Sequence, residues 1–195
     1  MPRYTTTYNI NDEFERLDAR LDELAEEVVS IEQEMDSDDP DDETLAEYED
    51  KLTTLQQKER ELAGVSWARD PDGDQDPITE VTVGALTAGE YATAKDRTAA
   101  LEDEQSDRWG VESDMDHSDR LHVAAAGLVD AAGADVDGYD DAVTWLASCL
   151  PQFVAWLADR VDEASTPDIS GKNSNERLAA ARSRAGSDSG SADSS

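Results

Sequence analysis

Ile10-Asn-Asp-Glu-Phe14-Glu-Arg-Leu17-Asp-Ala-Arg-Leu21-Asp-Glu-Leu24-Ala-Glu-Glu-Val28-Val-Ser-Ile31-Glu-Gln-Glu-Met35 is the stretch whose reading decides the fold. Its apolar residues Ile10, Phe14, Leu17, Leu21, Leu24, Val28, Ile31 and Met35 recur at alternating intervals of four and three. That spacing is the a/d stripe of a coiled coil, one apolar seam running along a single helix. Asn11 or Asp12 stands where a side chain can cap the start, and the acids of the first turn suit the positive end of the helix dipole. The stripe stops at Asp36-Ser-Asp-Asp-Pro40-Asp-Asp42, where the proline cannot continue a helix. A second stripe comes next in Leu45, Tyr48, Leu52, Leu55 and Leu62, interrupted by Glu59 and ending at Gly64, which reads as a C-cap.

Two helices of similar length joined by a short acidic turn are expected to fold back as an antiparallel hairpin. Each arm would be about 30–37 Å long at about 1.5 Å of rise per residue. A lone helix pair buries one seam and is marginal by itself. The hairpin is therefore expected either to pack on the rest of its own chain or to dock on a partner or a second copy. In the second case the contact residues are Phe14, Leu17, Leu21, Leu24, Val28, Ile31, Leu45, Leu52 and Leu55.

An acidic linker over 67–77 separates the hairpin from the segment that begins at Ile78. Asp70, Asp72 and Asp74 alternate as in a calcium loop, but Gln75 stands where such a loop needs Gly and Val81 where it needs Glu. Asp135-Val-Asp137-Gly138 is incomplete in the same way, and both stretches read as turns. Ile78 to Val83 has the makings of one short strand bounded by Gly84, and Thr87-Ala-Gly-Glu90 is a capping box. Behind the box a helix is predicted over Ala88 to Asp103, with Tyr91, Ala94, Thr98 and Leu101 on one face. A loop around Trp109 and Gly110 leads to a helix capped by Ser118, running through Leu121, Ala125, Leu128 and Val129 to near Gly133. The last helical region, Asp140 to Ala164, carries Val143, Leu146, Leu150, Phe153, Leu157 and Val161 on one stripe and Trp145, Cys149 and Trp156 beside it. Two apolar faces imply cover on most sides, and Pro151 should kink this helix or divide it. From residue 166 the chain is rich in Ser, Gly, Asn and Asp and reads as a disordered tail, with a short helix over Asn175 to Arg184.

The expected architecture is thus mainly α. A helical hairpin (1–66) is followed by the linker, a small helical domain with at most one short strand (78–165) and the tail (166–195).

Charge narrows the setting. Acids outnumber Lys and Arg 48 to 16, giving a formal net charge of -32, with 29 Asp against 19 Glu and only Lys51, Lys58, Lys95 and Lys172 as lysines. So much like charge opposes a compact state in dilute buffer. Molar salt shrinks the Debye length to about 3 Å and screens it. The pattern resembles proteins of salt-accumulating halophilic archaea and their viruses. Nucleic acid is not expected as a partner, because no basic patch precedes the last twenty residues, where Arg177, Arg182 and Arg184 cluster. The longest uncharged run, Ala142 to Ala158, is seventeen residues and includes Thr144, Ser148, Pro151 and Gln152. A membrane span wants about 20 mainly apolar residues, so none is expected. Met1 to Ile10 has no apolar core of the kind a secretion signal needs, which points to the cytoplasm.

No chemistry announces itself. His117 and His122 are five apart, on different faces of a helix, and a metal set of His117, Asp114 and Asp116 lacks ligand spacing. Cys149, the one cysteine, lies in an apolar stripe with no base near it in sequence and reads as an inert core thiol. There is no phosphate loop, no G-x-S-x-G and no H-E-x-x-H. No enzyme, metal or cofactor is expected.

Ile78-Thr-Glu-Val-Thr-Val-Gly-Ala-Leu-Thr-Ala-Gly-Glu-Tyr91, together with Leu150-Pro-Gln-Phe-Val-Ala-Trp156, resembles the opening and the end of phage tail assembly chaperone-like proteins. The resemblance covers residues 78–165, and the long hairpin departs from it as an added oligomerisation or docking arm. It implies a non-enzymatic factor of a haloarchaeal tailed virus or provirus that binds tail proteins in an apolar groove around Trp145, Phe153 and Trp156. Two other expectations stand beside it. One is a structural component of the virion, such as a minor capsid, connector or baseplate protein. The other is a cellular coiled-coil interaction protein.

Overall fold

A computed structural model describes residues 4–37, 42–71, 76–109, 116–132, 134 and 136–166. In chain order it contains β1 (Thr5–Asn9), α1 (Ile10–Ser37), α2 (Asp42–Arg69), β2 (Glu80–Gly84) and α3 (Ala88–Trp109). After these come α4 (Asp116–Gly127), β3 (Leu128–Ala131), α5 (Tyr139–Leu146) and α6 (Pro151–Ser165). The mainly helical class and the N-terminal helix pair are as the periodicity predicts. The strand content is greater, because an antiparallel three-stranded sheet in the order β1-β2-β3 forms in place of at most one strand.

Local chemistry explains most of the element ends. Asn9, rather than Asn11 or Asp12, caps α1: its Oδ1 accepts from the Asn11 amide at 3.0 Å and the Asp12 amide at 3.3 Å. The capping box forms at α3, with the Thr87 amide donating to Glu90 Oε2 at 2.9 Å and the Glu90 amide to Thr87 Oγ1 at 3.3 Å. Pro151 does divide the last helix, and it starts α6 at the position where a missing N–H costs nothing. Helix α3 runs on to Trp109, so Arg108 and Trp109 are helical rather than loop, and α4 begins at Asp116, before the cap expected at Ser118.

Two strands escape the sequence pattern. Strand β1 is Thr-Thr-Thr-Tyr-Asn, β-branched and aromatic but too short to show alternation. Its register runs from Thr5 opposite Gly84 to Asn9 opposite Glu80. Strand β3 begins where the pattern extends α4 through Leu128 and Val129. A short apolar run fits either element, and Gly127 marks the change. A Cβ there would lie 2.3 Å from the Val161 side chain, so α4 meets α6 at the glycine and the chain turns outward into β3.

The main correction concerns Gly64. It does not end α2, which continues to Arg69, so residues 67–69 of the expected linker are helix. Gly64 is buried, and a Cβ on it would lie 2.6 Å from the backbone of Gln152 and Phe153. The glycine lets α2 cross α6 at backbone contact. Just beyond it, the Ile78 amide donates to the Ala68 carbonyl at 2.8 Å and closes the connection into β2. The hairpin and the following segment, expected as separate domains, belong to one compact unit ending at Ser165. Their core is shared: Ile10, Leu17, Val65 and Ala68 lie in one cluster with Val81, Leu146, Phe153, Trp156 and Val161. Residues 38–41 of the acidic turn, 72–75 of the linker, 110–115 of the expected loop, Asp135 of the second turn and the tail beyond Thr166 with its short helix lie outside the described residues.

Gly64→Ala should lower the stability of the fold by about 1–3 kcal/mol, because no neighbouring side chain can give way to the new methyl. At Gly89 a Cβ meets nothing within 4 Å, so Gly89→Ala should be neutral or stabilising by up to about 1 kcal/mol. Urea midpoints of the two variants in molar salt check both.

Candidate interaction surfaces

The heptad stripe of α1 is spent inside the chain. Leu17 and Leu24 are 1% exposed, Val28 and Ile31 are buried, and Phe14 and Leu21 are half-buried against α2. The Arg69 guanidinium lies 4.1 Å over the Phe14 ring. On α2, Leu52 and Leu55 are half-buried and only Leu45 is exposed, at 39%. Of the residues expected as partner contacts, Leu17, Leu24, Val28 and Ile31 are thus buried within the chain itself. Across the arm Lys51 pairs with Glu27, and the Tyr48 hydroxyl donates to Glu32 at 2.9 Å. Solvent screens such exposed contacts, so they add little to stability.

What the hairpin presents outward is smaller. Leu24, Val28 and Ile31 are buried yet lie outside the shared core cluster, so this half of the arm rests on its own seam. On its outer side Ala25, Glu26, Val29, Ser30 and Gln33 line a shallow groove of about 400 Å³, with Val29 47% exposed.

The tryptophan region lies deeper. Phe153 and Trp156 are fully buried and Trp145 half-buried. Phe153 stacks on Trp156 at 5.6 Å between centroids, Trp67 of α2 approaches Phe153 at 5.7 Å, and Tyr8 of β1 meets Trp156 edge-on at 6.0 Å. The groove expected to receive a partner helix or strand is filled by the chain's own α2 and β1. The sequence shows that α6 has two apolar faces; it does not show which element covers the second.

Two buried polar groupings carry no sequence signal of their own. Glu61 and Arg160 are both buried, with Oε2 and a guanidinium nitrogen 3.8 Å apart. Glu61 also accepts from Lys58 at 2.7 Å, and Arg160 pairs with Glu163 at 2.8 Å. Glu61, Gly64, Val65 and Ala68 are the buried face of α2, a pattern of small residues and one charge that a search for leucines passes over.

The second grouping lies between α3, α4 and α5. Buried His122 shares a hydrogen bond through Nδ1 with the Tyr139 hydroxyl, and the Arg97 guanidinium sits 3.8 Å over the Tyr139 ring. An open cavity of about 450 Å³ beside them is lined by Thr87, Glu90, Thr93, Arg97 and Tyr139 among others. Burial, then the positive charge of Arg97, holds His122 below its ordinary pKa.

Reactive chemistry finds little here. Burial pushes the Cys149 thiol up to about 12, so it keeps its proton at neutral pH. No group of metal-binding side chains occurs among the described residues; Asp114 and the side chains of Asp116 and His117 lie outside them. No described helix is long and apolar enough to cross a membrane. Compared with known proteins, the chain matches no family model, no curated protein and no solved structure.

Arg160→Met leaves Glu61 with a buried charge and one remaining cation, and should cost on the order of 3 kcal/mol. Adding Glu61→Leu should recover most of that loss, which urea midpoints of the single and double variants will show. For His122 the unfolded chain binds a proton first as pH falls. Its contribution to stability is complete above about pH 6.5 and is lost progressively below it. The wild-type midpoint should therefore fall relative to that of His122→Gln between about pH 6.5 and pH 5.

Proposed function

We propose that this chain is a non-enzymatic assembly factor acting by protein contact in a salt-rich cytoplasm, with the α1–α2 hairpin as its docking arm. One observation carries the reading: the half of the hairpin holding Leu24, Val28 and Ile31 extends past the shared core and buries only its own seam. A helix pair whose inner face adds so little to the rest of the fold is best explained by what its outer face touches. That face offers Val29 and the shallow groove beside Ala25, and Leu45 is exposed elsewhere on the arm.

The resemblance to tail assembly chaperones supports a viral setting, with tail proteins as clients. The segment carrying it forms β2, the capped turn at Thr87 and α3. A capped strand-to-helix turn is also a common local solution, so the arm and not this turn is the main support. Binding at the arm replaces binding at Phe153 and Trp156, which are closed.

The test is made in molar KCl on virus-producing cells and on purified particles. The chain should co-purify with a tail protein during assembly and be absent from finished particles by mass spectrometry. A fixed copy number in the particle would make it a structural component instead. Val29→Asp with Leu45→Asp should abolish co-purification without moving the melting temperature, since both sites are exposed. Undiminished binding by that variant would contradict the docking role of the arm.

A further inference from the structure

Strand β1 is an edge of the sheet: β2 pairs with one side, and no described residue pairs with the other. The direction of its backbone groups follows from the bonds that flank the ladder. The Ala85 amide donates to the Tyr4 carbonyl at 2.9 Å, and the Ile10 amide donates to the Thr79 carbonyl at 3.0 Å. In an antiparallel pair the inward-directed residues alternate. Tyr4, Thr6 and Tyr8 are therefore the inward-directed residues, and Ile10 still turns its N–H toward β2; Thr5 and Thr7 turn both N–H and C=O away, and Asn9 its N–H, its carbonyl being the first acceptor of α1. Thr5, Thr7 and Asn9 are all exposed.

Open edges are normally protected by Lys, Pro, inward charge or a bulge. None occurs from Tyr4 to Asn9, and the run from Tyr4 to Asn11 is uncharged in a chain of net charge -32. The sheet's irregularity falls between Thr82 and Val83 in the pairing of β2 with β3, on the far side from this edge. Tyr4, at the head of the strand, is 75% exposed.

We propose that the β1 edge is the docking site for a second copy of this chain. The two β1 strands would pair antiparallel about a two-fold axis through Thr7, joining two three-stranded sheets. Self-complementarity selects this occupant. The axis sets Thr7 against its own copy, where both N–H groups meet the opposing carbonyls, and Thr5 against Asn9, where the Asn9 N–H meets the Thr5 carbonyl. No carboxylate opposes another along that seam, whereas acids crowd the exposed side of α1. Thr7 already makes a cross-strand hydroxyl contact, 2.9 Å from Thr82 Oγ1, and the axis extends that row into the second copy. Net charge opposes the approach of two copies in dilute buffer and salt screens it, so pairing should strengthen as salt rises. The five-residue seam is small, and the dimer should be concentration dependent.

Light scattering and sedimentation of the full chain, across concentration and from low to molar KCl, test this directly. The mass should rise toward twice that of the monomer with both variables. Thr7→Pro removes the outward N–H at the axis and leaves the β1–β2 bonds intact, because the Thr7 amide takes no part in them. Thr7→Glu instead sets two carboxylates face to face. Each should weaken dimerisation at least tenfold with an unchanged circular dichroism spectrum, and if the proline variant fails to fold the glutamate variant decides. A wild-type chain that stays monomeric throughout, or a dimer that survives Thr7→Glu, overturns the proposal.

Discussion

The crossing of α2 over α6 at Gly64 is the contact on which the rest of the molecule depends. With no side chain at Gly64, the backbone of Gln152 and Phe153 comes within a distance no Cβ would tolerate. That approach brings Val65 and Ala68 into the core and lays Trp67 against Phe153. Phe153 in turn stacks on Trp156, whose edge-on contact with Tyr8 holds β1 and so places the sheet. The buried pair of Glu61 and Arg160 sits at the same crossing. A buried pair is weak evidence for stability in itself, but with both partners fixed by packing it favours one alignment of the two helices over its neighbours.

From that crossing the hairpin has two characters. Near β1 it is part of the core, through Ile10, Leu17, Val65 and Ala68. Toward the other end its buried residues Leu24, Val28 and Ile31 lie outside that core cluster, and the cross-arm contacts are exposed ones such as Lys51 with Glu27. Local stability tracks the density of buried apolar contact, so the arm should open well before its root. The acidic surface does not distinguish the two halves. Carboxylates are spread along the whole chain, so the charge marks no one surface.

Much of the helical skeleton is legible in the residues. The heptad stripe, the Thr87–Glu90 box and the break at Pro151 are each set within a few positions, and each forms. The features that escape the sequence depend on distant partners. Gly64 after Leu62 looks like a C-cap because its true contact, α6, lies far along the chain. Strand β1 is five residues whose pairing partner is 75 positions away. The candidate site is hard to read for a related reason. Apolar residues announce that they will be covered but not by what, so Phe153, Trp156 and the seam of α1 look like partner surfaces when α2 and β1 already occupy them. Glu61 and His122, the buried polar groups, are indistinguishable in sequence from the many solvated ones around them.

Hydrogen exchange read by mass spectrometry in molar KCl tests the central claim most directly, that the hairpin is core at its root and free arm beyond. Amides of Glu61–Arg69 should exchange with those of Phe153–Val161 as one slow unit, while those around Leu24–Ile31 and Leu45–Leu55 exchange faster. A hairpin that exchanges as a single body along its whole length, with Glu61–Arg69 opening independently of α6, would contradict the account.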